Sequence, residues 1–276
     1  LNNTSLFRLP RPRPQALTDI SYACQRRFPV TSNVSGEASI SLSATGETFV
    51  NTGDWIVGTD SDIFLNASIS GSGSTSATLT GLPANQPVEI LAYVNKSNAT
   101  IKTKTLATKS ITVNIDSDGL GQKFLPLHTA DIFDVNEVLK SGDSNVSYAN
   151  RFILDNGQRD NHYDLGRMLL RPGQSAPGNA VFINFRHFQH GVSGDFFAVN
   201  SYTGQINYNQ IPPYRRGNGV IDDLFNVLDF RSVMDSAGEF SNQGKGARVV
   251  ELPQPTSLVT SDVTYFVPRR GKLVVG

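Results

Sequence analysis

From about Val30 to Ile115 the chain alternates apolar and polar residues in short runs, and a period of two cannot build the apolar stripe of a helix. "ASISLSA" sets Ala38, Ile40, Leu42 and Ala44 on one face, "DIFLNASIS" aligns Ile63, Leu65, Ala67 and Ile69, and "PVEILAYV" aligns Val88, Ile90, Ala92 and Val94. "TIKTKTLA" reads as a half-polar strand, and "SITVNI" closes the series with Ile111, Val113 and Ile115. Turn formers such as "SGSGST" and "GLPANQP" separate the runs. Half-buried antiparallel strands at this spacing predict a β-sandwich, with Trp55, the single tryptophan, filling its core.

Upstream, Pro10, Pro12 and Pro14 forbid helix and predict an extended arm or linker over residues 1–28, lying on a neighbouring domain. The sandwich is assigned to 29–117, with the turn-rich "DSDGLG", Asp116 to Gly121, as the boundary. Residues 118–276 carry more Phe, Tyr, Arg and Asp and are assigned to a second β-rich domain. There "AVFINFRHF" and "GDFFAVNSY" read as strands, the first buried on both faces, and "ARVVEL", "VTYFV" and "KLVVG" as more. In "VIDDLFNVLDF", Ile221, Leu224, Phe225 and Leu228 stand at helical spacing and predict one short helix. The fold class is therefore mainly β: an immunoglobulin- or fibronectin-like sandwich followed by a second β-rich domain with at most a short helix.

Charge narrows the function. Twenty-four basic residues balance 24 acidic ones, so no global field recruits nucleic acid or an anionic membrane. One cysteine, Cys24, excludes an intramolecular disulfide framework and reads as a small buried apolar residue. No apolar run approaches the ~18 residues of a membrane helix. The start lacks a signal-peptide block and an initiating Met, so the chain is expected to be processed or one piece of a longer polypeptide.

The densest chemistry lies in "FILDNGQRDNHYDLGRM", Phe152 to Met168. As a calcium loop it fails, because Gly157 and Arg159 occupy positions where oxygen ligands belong and Asp164 does not replace the distal Glu. As an acid–base pair Asp155 and Asp160 fail too, since Arg159 between them holds both carboxyls ionised. A turn centred on Asn156-Gly157, rigidified by Asp–Arg pairs, fits better.

His187 and His190 read as hydrogen-bonded structural residues, and no third metal ligand is advertised. "GEFSNQGKG" has the wrong spacing for a phosphate loop and lacks its hydroxyl residue, and no Gly-x-Ser-x-Gly elbow is present. Asn-x-Ser/Thr triplets at Asn2, Asn3, Asn33, Asn66, Asn95, Asn98 and Asn145 are incidental in a chain this rich in Asn, Ser and Thr. Neither cofactor nor metal is expected.

Two resemblances add to this. "ATLTGLPANQPVEILAYV" resembles the stretch near the end of fibronectin type III modules, over about 90 residues in all, with Val88 standing where the family has a Tyr. "RFILDNGQRDNHYDLGRMLLRPG", "HFQHGVSGDFFAVNSY", "LFNVLDFR" and "VTYFVPRRGKLVV" follow in order and resemble a domain of long tail proteins of contractile-tailed, T4-like bacteriophages, notably those of cyanobacteria. "LFRLPRP" is similar to segments that precede such proteins, while Arg269-Arg270-Gly271 departs from the family's closing strand. The resemblance implies a virion structural protein of the baseplate or tail-fibre region, made in the host cytoplasm, binding other tail subunits and itself. It implies no catalytic residues. Asp155, Asn156, Gly157, Arg159, Asp160, Tyr163, Asp195, Phe196, Phe197 and Tyr202 are then fold-defining or interface residues. The alternatives are a host-surface glycan-binding module using Tyr202, Tyr208 and Tyr214, and an envelope-degrading hydrolase.

Overall fold

The computed structural model describes residues 5–9, 14–59, 61–64, 66–191, 193–239, 253–254 and 258–266. The chain is mainly β, built from antiparallel sheets. Helical structure among the described residues is confined to short 3-10 turns.

The first half contributes β1 (Leu6–Arg8), β2 (Pro14–Thr31), β3 (Ala38–Ser41) and β4 (Glu47–Val50). After them come β5 (Ile56–Gly58), β6 (Ser68–Ser70), β7 (Ser76–Thr80) and β8 (Pro87–Ala99). One sheet runs β2-β8-β4, with β5 also on β8; the other runs β3-β7-β6. Their inner faces share a core in which Val88, Ile90, Ala92 and Val94 of β8 meet Ile40 and Leu79 of the facing sheet. Trp55 packs on Phe49 at 5.1 Å and donates its indole N–H to the Val50 carbonyl, so its polar end is satisfied. Cys24 is buried in the same core.

The second sandwich starts earlier than the sequence predicts. It comprises β9 (Lys104–Val113), β10 (Asp116–Ser117), β11 (Lys123–Ala130), β12 (Ile132–Lys140) and β13 (Asp143–Ser147). It continues with β14 (Phe152–Asp155), β15 (His162–Tyr163), β16 (Leu165–Leu170) and β17 (Val181–His190). The sheets are β10-β11-β16-β14 and β13-β12-β17-β9, closing over Leu125, Leu127, Phe152, Met168, Ile183 and Phe185. "SITVNI" thus belongs to β9 and pairs with β17, not with the first sandwich, and the crossing between sandwiches falls near residues 100–103. Alternation fixes which face of a strand is apolar but not which sheet the strand joins.

Residues 14–28 are not arm either. They form most of β2, an 18-residue strand that pairs along β8 from Ile20 to Thr31. β17 buries one face, not two. "GDFFAVNSY" forms isolated bridges at Phe196 and Phe197 and then a 3-10 turn at Val199–Tyr202.

The expected helix at 221–228 is absent. β18 (Pro213–Arg215) pairs with β19 (Ile221–Asp223), a 3-10 turn spans Leu224–Asn226, and β20 (Val227–Asp229) pairs with β1. Four apolar residues at helical spacing are outweighed here by two strand pairings, a local hairpin with β18 and a distant one with β1. β21 (Ser232–Val233) lies parallel to β15, and β22 (Thr260–Tyr265), from "VTYFV", adds to the outer edge of β2. "ARVVEL" and "KLVVG" lie outside the described residues. No described helix is long and apolar enough to cross a membrane.

Segment 191–239 couples the two sandwiches. Phe196, Tyr202, Tyr214, Leu228 and Phe230 join the core of the first, with Phe230 edge-on to Tyr22 at 4.9 Å and to Phe7 at 5.7 Å. Ala130, Tyr163, Phe197 and Val233 form a smaller cluster beside it.

Candidate functional site

The turn region comes first because the sequence marks it. Gly157 has φ +82°, and a Cβ there would lie 2.0 Å from the Asp164 carbonyl oxygen, so only glycine fits. Asn156 does not share the left-handed conformation. The chain reverses later than predicted, at Arg159–His162, where the Arg159 N–H donates to the His162 carbonyl at 2.9 Å. Asn156-Gly157 is instead the kink at the base of this hairpin, with the Asp164 N–H on the Gly157 carbonyl at 2.7 Å.

Arg159 donates two bonds to Asp155, at 2.9 and 2.8 Å, and one to Asp164 at 3.1 Å. Burial alone would raise the Asp155 carboxyl, but Arg159 and the Gly157 amide hold it below the usual carboxylate range. Asp160 accepts from the Tyr214 hydroxyl at 2.6 Å. Asp195 pairs with Lys96 of β8 and accepts the Thr100 N–H at 2.8 Å, tying segment 191–239 to the first sandwich.

Deeper in lies a network that the sequence did not advertise. Lys104, the first residue of β9, has its side chain 0% exposed and donates to Asp131 at 2.6 Å. Asp131, 1% exposed, sits between β11 and β12 in a left-handed backbone conformation, φ +53°. Its Oδ2 also meets His190 Nε2 at 2.8 Å. The Lys104 ammonium lies 4.5 Å from the ring centre of Tyr163, 4.6 Å from Phe197, 5.0 Å from Tyr202 and 5.5 Å from Phe188. That box replaces part of the lost hydration by attraction to the ring faces.

Tyr163 links this pair to a second one. Its hydroxyl accepts from Lys104 at 3.1 Å and from Arg231 at 2.9 Å, and donates to Asp229. Arg231 makes two bonds to Asp229, at 3.0 and 2.8 Å, and one to the Arg159 carbonyl at 3.0 Å. Burial lowers the Lys104 pKa against the pull of Asp131, and burial pushes the Tyr163 hydroxyl well above its usual value. Burial also lowers His190, which is neutral near pH 7, so its Nε2 carries the proton that faces Asp131. For Asp131 burial is outweighed by Lys104 and His190, which hold the carboxyl low.

Of the residues singled out by sequence, Tyr163, Phe197 and Tyr202 come together in this box, and Arg159 touches its rim. Lys104, Asp131, Asp229 and Arg231 were missed. One available signal was the charged pair inside the apolar run "NVLDFRSV". The proposed glycan contacts do not form a platform. Tyr202 and Tyr214 are 2% and 6% exposed, and Tyr208 is half-buried with its ring 4.6 Å from Phe225. Their rings are committed to packing.

Compared with known proteins, the chain matches no family model, no curated sequence and no solved structure. Chemistry is thus read from geometry alone. Among the described residues, no three His, Cys, Asp or Glu side chains are placed to hold a metal ion. A cavity of about 260 Å³ beside Trp55 is lined, among the described residues, by side chains such as Ile56, Phe64 and Ile69, none of them ionisable. The ionisable groups with perturbed pKa values at the centre of the molecule are closed off from solvent.

Proposed function

We propose that the protein is a structural component of the tail of a contractile-tailed bacteriophage, in the baseplate or fibre region, and that it acts by binding other tail subunits and further copies of itself rather than by catalysis. The observation that carries this reading is where the motif residues go. Of the residues behind the resemblance to phage tail proteins, Tyr163, Asp195, Phe197 and Tyr202 are spent on joining two β-sandwiches, and Asp155 and Arg159 on fixing the hairpin beside them. A hydrolase of envelope polymers needs two carboxylates facing each other across an open cleft. Asp155 and Asp164 instead share one arginine, and Asp131 and Asp229 are buried.

Such a protein is made in the host cytoplasm and works in the virion. Its outer sheet faces and edges supply the polar contact area that subunit interfaces of standard size require. Immunogold electron microscopy of intact virions, with antibody raised against residues 118–276, tests the reading. Label at the tail end is expected. Particles without label, with the protein free in the lysate, would sink it.

A further inference from the structure

We infer that Lys104 and Asp131 are built to join covalently, as an amide between the side-chain nitrogen of one and the side-chain carboxyl of the other. The geometry carries the inference. Nζ and Oδ2 are 2.6 Å apart, and both side chains are shut off from water. The carboxyl carbon, one bond beyond Oδ2, therefore lies roughly 3–4 Å from Nζ, the range of a near-attack arrangement. Asp131 is held there by a left-handed backbone, and its own carbonyl accepts the Phe188 N–H at 3.0 Å. The aromatic box of Tyr163, Phe188, Phe197 and Tyr202 fixes the lysine end.

The surroundings also supply the proton handling. The resting form is the ion pair. Transfer of one proton along the 2.6 Å bond gives amine and carboxylic acid, a neutral pair that a dry site tolerates better than it does in water. The nitrogen lone pair then attacks the carboxyl carbon, and a C–N bond forms. Oδ2, now the hydroxyl oxygen, is the one that leaves, and His190 Nε2 donates to it as the C–Oδ2 bond lengthens and negative charge grows on the departing oxygen. Tyr163 Oη, 3.1 Å from the nitrogen and bonded on to Asp229, takes the proton that the attacking nitrogen sheds and returns it as a C–O bond breaks. Of the three ammonium hydrogens, one stays on the amide nitrogen and two leave with one Asp131 oxygen as water. The charges cancel, and no oxidant, reductant or co-reactant enters.

The bond would close a loop through β9, β10 and β11 and pin the start of β9 at the crossing between the sandwiches. It needs only this chain. The decisive experiment is the intact mass of the purified full chain, denatured before measurement after incubation at neutral pH. A mass one water below that of the sequence is expected, with a branched proteolytic fragment joining the Lys104 and Asp131 peptides. Lys104→Arg and Asp131→Ala must each restore the missing water, and that readout does not depend on either variant folding. A wild-type mass equal to that of the sequence would overturn the inference and leave the pair as a buried ion pair. A deficit that survives both substitutions would overturn it as well.

Discussion

At the scale of single residues the molecule depends on charges held out of water. Arg231 is fully buried, and its bonds to Asp229, Tyr163 and the Arg159 carbonyl satisfy it on three sides. A buried pair of this kind adds little over a well-packed apolar pair, but removing one partner strands the other. Arg231→Met is expected to leave Asp229 uncompensated and to cost about 3–5 kcal/mol in urea unfolding. Acid should act in two stages. Burial lowers the pKa of His162, His187 and His190 from the ordinary 6.5, so below that pH the unfolded chain takes up protons that the folded chain refuses. Stability from these groups is intact above pH 6.5 and falls as pH drops through their folded values. Asp155, Glu47 and Asp222 have carboxyls held low by arginine partners that outweigh their burial, and their contribution is lost only at lower pH, below about 4. A melting temperature that is level from pH 8 to 7, declines below 6.5 and drops again below about 4 is the expected profile by calorimetry. Sequence reading reached Tyr163, Phe197 and Tyr202 through the resemblance carried by "LDNGQRDNHYD" and "GDFFAVNSY". It missed Lys104 and Asp131 because they stand 27 positions apart and the groups around them lie further off still, 59 positions in the Lys104–Tyr163 and Asp131–His190 contacts.

At the scale of elements, alternation was a good guide to strand faces and a poor one to partners. Val88, Ile90, Ala92 and Val94 all face the core as their spacing predicts. Ala44 does not, because its run breaks into a turn after Leu42, and Ile63, in an isolated bridge to Gly58, is exposed. The helix expected at 221–228 failed because β19 closes a local hairpin on β18 across Gly217-Asn218-Gly219, while β20 pairs with β1, a partner that no local pattern displays. β1 gives the clearest element-level test. Leu6 is buried, Phe7 packs edge-on to Phe230, and Arg8 pairs with Asp222 at 2.5 Å. Leu6→Ala is expected to cost about 2–4 kcal/mol by chemical denaturation, the range for a truncated core leucine. A loss within about 0.5 kcal/mol, typical of surface positions, would mean that β1 is not held against β20 in solution.

At the scale of the whole molecule, the two sandwiches are not separable along the sequence. The core of the first includes Phe196, Tyr202, Leu228 and Phe230, while β9, read as its last strand, belongs to the second. Residues 29–117 and 118–276 made as separate chains are therefore expected to remain unfolded or aggregate. The 276-residue chain should melt in one calorimetric transition, and two resolved transitions would contradict the coupling. The edge strand β22 carries a further consequence for biosynthesis. β2 leaves the ribosome some 240 residues before the segment that covers its outer edge, and its register with β22 runs from Pro14–Tyr265 to Ser21–Thr260. Until that segment arrives, the nascent chain presents a long unpaired strand edge to every neighbouring chain on the same message. Slow translation of the stretch between β2 and β22 would lengthen that exposure, so the yield of soluble protein should depend on the rate of translation over that stretch.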